Sequence, residues 1–253
     1  MKNSLQYLFN SLGYKISRND NNPFKYPAEF TKKDIEIFNF VNEKKITMIS
    51  YQRMFANMLV AKNIIQNNIE GDFIECGVWK GGSTLLVKLL FDEYKINNRV
   101  WLFDTFEGMT EPSIEDVKST TGENAINKFL ISKKNEYVDW CYASIEEVQK
   151  NFVEAGVNLS NCNFIKGDVE NTIPKEAKNI DKISFLRLDT DWYESTKIEL
   201  KYLYPKIIKK GFLIIDDYGR WDGSKKAVDE YFEKMKIQPL KSMIDYSSRL
   251  IVV

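Results

Sequence analysis

Apolar and polar positions divide the chain into a helical N-terminal part and a longer part in which strands and helices alternate. Residues 33–41 and 51–66 carry apolar side chains at helical spacing, and a polar loop at 19–27 precedes them. From residue 71 onward, short apolar runs alternate with helical patterns, which is typical of a parallel sheet with helices on both faces. We predict an N-terminal helical cap over residues 1–70 and an α/β domain over residues 71–253.

Seven apolar runs are the strand candidates of this domain. They cover residues 72–78, 99–105, 163–169, 183–189, 211–217, 239–243 and 249–253. The last two follow one another without a helix between them, which predicts a terminal antiparallel hairpin added to a mostly parallel, seven-stranded sheet. Residues 106–142 are long for a connection and lack an apolar period, so we expect a lid-like insertion there.

Acidic side chains end two of the predicted strands. Asp189 closes the fourth strand, and the pair Asp216 and Asp217 closes the fifth. Because the carboxyl ends of parallel strands form the ligand crevice, these acids are expected to converge there. Oxygen-only ligands indicate a hard divalent cation such as Mg²⁺, Ca²⁺ or Mn²⁺, with Asp191 placed to act as a base beside it.

Composition excludes several kinds of catalytic site and several classes of partner. The 253 residues contain no histidine, which excludes Ser-His-Asp and Cys-His catalysis and histidine-ligated zinc. Acidic and basic residues balance at 36 each, so no charge footprint indicates nucleic acid or an anionic membrane. The partners expected are small molecules or other proteins.

Neither export nor a disulfide framework is indicated. The first ten residues lack the apolar core of a signal peptide, and no run is long enough to span a bilayer, so we expect a cytoplasmic protein without membrane insertion. Cys76, Cys141 and Cys162 are odd in number and form no Cys-x-x-Cys pair. They are expected to be small buried thiols.

A glycine-containing turn follows the first strand. It includes Gly77, Gly81 and Gly82 and opens a helix, an arrangement that lets a ligand approach the backbone closely. Asp104 closes the second strand 22 residues after Gly82, near the position where an acid binds a ribose diol in nucleotide-binding units. Asp168 ends the third strand and is placed to accept from an adenine amino group. A nucleotide-type cofactor is therefore expected.

Five sequence motifs, in the same order along the chain, are similar to those of one protein family. They are FIECGVWKGGS at 73–83, LFDTFEGM at 102–109, GDV at 167–169, LDTDWYEST at 188–196 and IDDYG at 215–219. From about residue 47 to near the C-terminus, the chain resembles the macrocin O-methyltransferase family. Its members are metal-dependent enzymes that use S-adenosylmethionine to methylate sugar hydroxyls. The resemblance implies a Rossmann-like class I methyltransferase fold, in which residues 71–253 form the cofactor-binding catalytic domain, and it points to a homo-oligomer.

The resemblance also assigns roles to individual residues. Asp189, Asp216 and Asp217 match the metal ligands for Mg²⁺ or Mn²⁺, and Asp191 matches the catalytic base. The residues that match the cofactor pocket are Glu75, Gly77, Trp79, Gly81, Gly82, Ser83, Asp104, Thr105 and Asp168, with Thr47, Met48 and Ser144 at further positions. The acceptor implied is a sugar-containing small molecule, either a surface-glycan or nucleotide-linked sugar or a glycosylated natural product.

Three other functions stay open at this point. The same donor and metal would also serve a catechol, whose two neighbouring oxygens suit one cation. Tyr193 and Lys197 have the Tyr-x-x-x-Lys spacing of NAD-dependent dehydrogenases and nucleotide-sugar epimerases, although the G-x-G-x-x-G fingerprint is missing. A cofactor-binding protein without activity is the third, and the four aspartates argue against it.

Overall fold

The computed structural model describes residues 25–253, in a chain that divides into two units at Thr31. In the described residues before the division, the amide of Phe30 donates to the carbonyl of Pro27 at 3.1 Å. Predictions about residues 1–24, including most of the polar loop at 19–27, lie outside the described residues. No helix within residues 25–253 combines the length and hydrophobicity that crossing a bilayer requires.

A seven-stranded sheet forms the centre of the second unit, Lys32–Val253. Its strands are β1 (Asp72–Cys76), β2 (Val100–Asp104), β3 (Cys162–Lys166), β4 (Ile183–Leu188), β5 (Ile207–Ile215), β6 (Ser242–Met243) and β7 (Arg249–Val252). They lie in the order β3-β2-β1-β4-β5-β7-β6. Strands β1 to β5 are parallel, and β7 is antiparallel to both β5 and β6. The predicted fold class is confirmed, with the last strand of the chain inserted between β5 and β6.

Helices cover both faces of the sheet. They are α1 (Lys32–Lys44), α2 (Tyr51–Gln66), α3 (Gly82–Glu93), α4 (Ile126–Ser132), α5 (Ile145–Glu154), α6 (Val169–Glu176), α7 (Tyr193–Tyr202) and α8 (Asp222–Lys234), with 3-10 turns at Leu159–Asn161, Ala177–Asn179 and Tyr204–Lys206. Helices α1 and α2 pack on α3, while α6, α7 and α8 pack on one another in sequence. The two helical patterns predicted at 33–41 and 51–66 therefore belong to the same compact unit as the sheet. The boundary at residue 70 stays a prediction.

Alternation along β1 assigns its side chains to two different layers, since successive strand residues point to opposite faces. Ile74 and Cys76 join the large apolar core that includes residues of α6, α7 and α8. On the other face, Phe73 stacks on Phe185 of β4 with ring centroids 4.6 Å apart. Glu75 shares this second face and is fully buried there. A charged side chain is thus placed in the centre of an apolar layer.

Three strand boundaries were wrong in physically informative ways. Strand β3 ends at Lys166 and not at residue 169, because Asp168 caps α6, which begins at Val169. Strand β5 begins at Ile207 and not at residue 211, because Ile207 pairs with Ile183 before the register shifts. The four residues gained include exposed lysines, which conceal the strand in the sequence. Strand β6 is confined to Ser242–Met243 and does not begin at Pro239, because only these two residues pair with β7.

The long connection at 106–142 contains α4 and a small core of its own. Ala125, Trp192 and Trp221 form this core, with Met109 and Trp140 packed against it. Isolated bridges pair residue 117 with 124, 118 with 221 and 133 with 138. The insertion is therefore fastened to the carboxyl side of the sheet by both backbone pairing and aromatic packing.

Gly77→Ala is expected to destabilise the fold because β1 and β4 approach closely where β1 ends. Gly77 has φ of 81°, and a Cβ there would collide with the carbonyl of Asp189. Gly122 has a similar φ of 70° with nothing within 4 Å, so Gly122→Ala isolates the backbone cost alone. We expect Gly77→Ala to lose at least about 1 kcal/mol more than Gly122→Ala in urea unfolding followed by circular dichroism. Equal losses of unfolding free energy in the two variants would show that β1 and β4 separate easily to admit the added methyl group.

Candidate functional site

The chain leaves β1 through the predicted glycine turn, which leads into α3. Gly77, Trp79 and Gly81 have positive φ angles of 81°, 47° and 80°. Asp104, at the end of β2, closes this turn because its Oδ2 accepts from the amides of Val78 at 2.7 Å and Trp79 at 3.1 Å. A carboxylate from the neighbouring strand therefore fixes the turn at the carboxyl edge of the sheet.

The other carboxylate oxygen of Asp104 also accepts hydrogen bonds. Its Oδ1 accepts from the amide of Phe106 at 2.7 Å and from the hydroxyl of Thr105 at 3.4 Å. Burial raises the pKa of Asp104, and the amide hydrogen bonds oppose that rise. The carboxylate holds two loops together, and its predicted contact with a ribose stays a prediction.

A small cavity of about 50 Å³ lies between the ends of β1, β2 and β4. It is lined by Gly77, Asp104, Thr105, Gly108, Met109, Thr110, Val169, Asp189, Thr190 and Ser195. The structure thus brings three predicted cofactor residues, Gly77, Asp104 and Thr105, together with the predicted metal ligand Asp189. Cofactor and metal candidates share one crevice.

Two other predicted cofactor residues are buried. Glu75 is fully buried and accepts from Arg187 at 2.5 Å and from the hydroxyl of Thr84. Ser83 is also buried, and its hydroxyl accepts from the side-chain amide of Asn57 at 2.8 Å. These contacts support the turn from beneath.

Ser144 and Asp168 cap helices. The hydroxyl of Ser144 accepts from the amide of Glu147 at 3.2 Å at the start of α5, and Oδ1 of Asp168 accepts from the amide of Glu170 at 2.9 Å at the start of α6. Asp168 also lines a surface cleft that includes Thr105. The capping bonds leave further lone pairs on both side chains for a ligand.

Gly82 lies against the segment that precedes α2. Its amide donates to the carbonyl of Ile46 at 3.0 Å, and a Cβ there would lie 2.9 Å from Cβ of Thr47. The side chain of Met48 is 59% exposed. The structure therefore places Thr47 beside the turn and leaves Met48 open to solvent, and the cofactor contacts of both stay predictions.

The three predicted metal ligands converge. Asp189, Asp216 and Asp217 each offer a carboxylate oxygen, and these oxygens lie within 4.8 Å of one another. Oδ2 of Asp217 is buried without a hydrogen-bond partner among the described residues. A buried carboxylate oxygen left unpaired is costly unless a cation or a proton reaches it.

Arg187 links this cluster to the core. It is fully buried on β4 and donates to Glu75 at 2.5 Å, to Asp189 at 2.7 Å and to Asp216. Burial alone would lower its pKa, but the surrounding carboxylates, Asp189 first, raise it. The guanidinium is thus charged and orients three acids at once.

A second arginine comes from the N-terminal helices. Arg53 of α2 donates to Asp216, and its Nε donates to Asp245 at 2.7 Å. Asp245 also accepts from the hydroxyl of Ser50 at 2.9 Å. Although burial opposes it, the hydrogen bond from Arg53 and the backbone amides lower the pKa of Asp245 to about 2. Neither Arg53 nor Asp245 was predicted, because 192 residues separate them along the chain.

Negative charge exceeds positive charge at this edge of the sheet. Five carboxylates, from Glu75, Asp189, Asp191, Asp216 and Asp217, face three guanidinium groups, from Arg53, Arg187 and Arg220. Burial and then mutual repulsion raise the pKa of both Asp189 and Asp217. A divalent cation would supply the missing positive charge, so the donor set and its unpaired oxygen fit a hard metal ion.

Asp191 lies at the border between the acid cluster and the insertion. It has a left-handed φ of 67°, and its Oδ1 accepts from Nε1 of Trp221 at 2.5 Å. Burial, followed by repulsion from Asp189, raises the pKa of Asp191 to about 7, while Arg220 opposes the rise. A carboxyl that titrates near neutral pH is suited to take up a proton.

Aromatic rings surround the solvent side of Asp191. Trp192 meets Trp221 edge to face at 5.0 Å and Trp140 at 5.6 Å. Nε1 of Trp192 donates to the carbonyl of Thr110 at 3.0 Å, which ties the insertion to the loop after β4. These rings enclose one side of the candidate site.

Tyr193 and Lys197 share a face of α7, but both engage acids at the surface. Tyr193 donates to Glu230 at 2.7 Å, and this hydrogen bond raises the pKa of the phenol. Lys197 donates to Glu194 at 3.4 Å. A tyrosine base needs a lowered pKa, so the geometry does not favour the dehydrogenase alternative.

Glu199 is a buried acid that the sequence analysis missed. It is fully buried on α7, and its Oε1 accepts from the hydroxyl of Thr190, between Asp189 and Asp191, at 2.9 Å. Burial raises the pKa of Glu199 to about 8, and hydrogen bonds from Thr190 and Cys76 oppose the rise. The sequence contained one sign of this burial, since Glu199 falls on the inward face of α7 beside Thr196 and Leu200.

Comparison with known proteins finds similarity to several O-methyltransferases. Residues 14–250 match the family described as macrocin-O-methyltransferase (TylF). Demethyldecarbamoylnovobiocin O-methyltransferase from Streptomyces niveus is 34% identical over 192 residues, which cover 76% of this chain and 69% of that protein. A tetracenomycin-C rhamnosyl 4'-O-methyltransferase from Streptomyces olivaceus is 29% identical over 200 residues, which cover 79% of this chain and 72% of that protein.

The fold is similar to solved structures as well. The O-methyltransferase NovP superposes with a TM-score of 0.71 at 29% identity, covering 81% of each chain.

Glu199→Gln is expected to change how stability depends on pH. Because the folded pKa of about 8 exceeds the ordinary value of 4.5, the folded state binds the proton more tightly. The stability that this proton contributes is fully present below pH about 4.5 and is lost as pH rises through 8. Glutamine keeps the donor and acceptor of the neutral acid. We expect the variant to be the more stable protein at pH 8.5 and similar at pH 4.5, measured by urea unfolding.

The control for this prediction is Glu194→Gln on the same helix, whose side chain is about half exposed. It should leave the pH dependence of unfolding unchanged. If the free energy of unfolding changed with pH in the same way for wild type and for Glu199→Gln, Glu199 would be ionised in the folded protein.

Proposed function

Because the chain belongs to the macrocin-O-methyltransferase family, we propose that it transfers the methyl group of S-adenosylmethionine to a sugar hydroxyl of a small-molecule acceptor. The hydroxyl oxygen attacks the methyl carbon, the bond from that carbon to sulfur breaks, and S-adenosylhomocysteine leaves. The hydroxyl proton passes to a base. The protein must align the two substrates and accept this proton.

The observation that carries the proposal is the position of Asp191 beside the converging acids at the carboxyl edge of the sheet. Asp189 lines the cavity next to the glycine turn, so donor and acceptor would meet there. A pKa of about 7 lets Asp191 be ionised before the reaction and protonated after it. In our proposal Asp191 is the general base, and Trp221 orients its carboxylate.

Asp189, Asp216 and Asp217 would hold a divalent cation, Mg²⁺ or Mn²⁺. Their oxygens are within 4.8 Å of one another, and Oδ2 of Asp217 is buried without a partner in the described chain. Such an ion, when bound, supplies positive charge that lowers the pKa of a coordinated hydroxyl. Arg187 and Arg53 hold Asp216 in place by hydrogen bonds to its two oxygens.

The methyl donor would lie along the glycine turn. Gly77 and Thr105 line the cavity, and Asp104 fixes the turn from β2. Because the oxygens of Asp104 already accept backbone hydrogen bonds, a ribose contact would use their remaining lone pairs. Asp168 lies farther along the same edge, beside a cleft that also includes Thr105.

A sugar is the acceptor that the surroundings of Asp191 support best. The named relatives modify a novobiocin precursor and a rhamnosyl tetracenomycin. In this chain Trp140 is partly exposed where it packs on the buried rings of Trp192 and Trp221, close to the proposed base, and such an aromatic surface packs well on the apolar face of a sugar ring. The acceptor we propose is a sugar of a surface glycan, a nucleotide-linked sugar or a glycosylated natural product.

Asp191→Asn is expected to abolish turnover and to preserve binding of S-adenosylhomocysteine. Wild-type protein should bind this product in isothermal titration and should not bind NAD⁺. The variant should bind it equally well, because asparagine keeps the shape of the side chain. Methyl transfer, measured by release of S-adenosylhomocysteine, should fall at least about 100-fold because no base remains to take the proton.

The matched control is Asp181→Asn, an exposed acid before β4. It should retain the wild-type rate. Substantial activity in Asp191→Asn would refute the assignment of the base, and binding of NAD⁺ alone would refute the methyltransferase.

Asp217→Asn is expected to change the response of stability to metal. Since burial, and then repulsion from Asp191 and Asp216, raises the pKa of Asp217, removing the ionisable group should raise the Tm of the metal-free protein at neutral pH. Millimolar Mg²⁺ or Mn²⁺ should raise the Tm of wild type, because an ion that binds only the folded state stabilises it. The variant should show little or no such rise.

Asp181→Asn again serves as the control and should respond to metal as wild type does. Equal metal-induced shifts in wild type and Asp217→Asn, together with a wild-type rate that EDTA leaves unchanged, would refute the metal site.

A further inference from the structure

A second, small cavity of about 80 Å³ lies on the insertion side of Asp191. Its lining includes Lys118, Lys128, Arg220, Trp140 and Trp221. Trp221 is shared with the candidate site, because its indole nitrogen donates to Asp191. A molecule that occupies this cavity therefore lies beside the proposed base.

The cavity is rich in positive charge, and its two lysines have no ion pair within the described residues. Lys118, Lys128 and Arg220 line it with one acid, Glu123. Among residues 25–253, none of the three cations has a carboxylate oxygen within ion-pair distance. By contrast, Lys226 close by pairs with Glu115 at 2.9 Å. The lining cations remain available to a ligand.

Lys128 is fixed in place without being neutralised. Its ammonium lies 4.0 Å from the centroid of the Trp140 ring. A cation on an aromatic face is held by the ring quadrupole and keeps its full charge. Lys128 can therefore attract an anion without first breaking an ion pair.

Arg220 provides an independent sign of a missing partner. Its Nε is buried without a hydrogen-bond partner among the described residues. Its charge is shared with Asp191 and Asp217, so the two lysines supply the net positive charge of the cavity. A buried guanidinium nitrogen is costly to leave unpaired, and an oxyanion would satisfy it.

The basic residues are held by the backbone as well. The amide of Lys118 donates to the carbonyl of Glu123 at 2.9 Å, and the amide of Ser119 donates to the carbonyl of Arg220 at 2.9 Å. The side chain of Ser119 donates to Asp222 at 2.6 Å. The insertion thus carries Lys118 to a defined position against Arg220.

We propose that the acceptor sugar carries an anionic substituent, a phosphate or a carboxylate, which occupies this cavity while its hydroxyl lies at Asp191. The inference rests on the proposed function and specifies its substrate class. Two sources share this chemistry: the diphosphate of a nucleotide-linked sugar and the carboxylate of a uronic acid. Lys118, Lys128 and Arg220 would bind the oxyanion, and Trp140 and Trp221 would border the sugar.

The test is isothermal titration with UDP, with glucuronate and with neutral glucose, with and without saturating S-adenosylhomocysteine. We expect at least one of the two anions to bind about tenfold or more tightly than glucose, with an affinity that falls as salt rises. UDP as the tighter ligand identifies the diphosphate source, and glucuronate as the tighter ligand identifies the carboxylate source. Lys118→Gln/Lys128→Gln should remove the preference for the anion.

The matched control is Lys175→Gln/Lys178→Gln, which removes the same charge from two exposed lysines near the end of α6. It should bind the anion as wild type does, and thermal melts should show that both double variants are folded. Equal binding of anions and glucose, or an unchanged anion affinity in Lys118→Gln/Lys128→Gln, would overturn the inference. Failure of wild type to bind S-adenosylhomocysteine would instead overturn the proposed function, since the anion titrations are also made without it.

Discussion

The buried ion pairs of Arg187 hold the candidate site together. This side chain is wholly enclosed on the central strand β4, where it donates to Glu75, Asp189 and Asp216 from three adjacent strands. Removing one member of such a cluster would leave the others charged and unpaired in an apolar layer, so the three acids and the arginine depend on one another. The same contacts orient two of the proposed metal ligands. Stability of the sheet and geometry of the site are therefore set by one guanidinium group.

The cluster remains negative even with its arginines, and this excess gives the site its chemical character. Arg53 reaches Asp216 from α2, which makes the N-terminal helices part of the site and not only a cover for it. The pKa values of Asp189, Asp191 and Asp217 are all raised, with burial as the largest cause. A cation would relieve this repulsion among the ligands, while Asp191 has a pKa suited to proton transfer. The raised pKa values and the proposed roles of these acids thus have one origin, which is the excess of buried carboxylates over guanidinium groups.

Two lysines of the insertion after β2 lie near this acidic cluster. Trp140 of the insertion packs against Trp192 and Trp221, and Lys118 and Lys128 line a neighbouring cavity together with Arg220. The acids at the strand ends therefore lie near a cavity lined by three basic side chains. Such a pairing can orient a polar acceptor, because the hydroxyl and an anionic substituent would be drawn to different sides. Specificity for the acceptor would then reside in the insertion, and the methyl-transfer chemistry in the strand ends.

Much of the fold and part of the site could be predicted from the sequence because they depend on local patterns. Strand periodicity gave the sheet, and acids directly after strands gave the cluster of Asp189, Asp216 and Asp217, since parallel strands end at one edge. The contacts of Arg53 with Asp245 and the burial of Glu199 could not be predicted in this way. The contacts of Arg53 with Asp245 join segments far apart in sequence, which no local pattern encodes. The burial of Glu199 depends on which face of α7 the core covers, and its helical spacing from Thr196 and Leu200 was the one local sign of it. The sequence by itself determined the strand ends and the residue types at the site. The tertiary structure decided which charges are paired, because pairing depends on distances that only the folded chain creates.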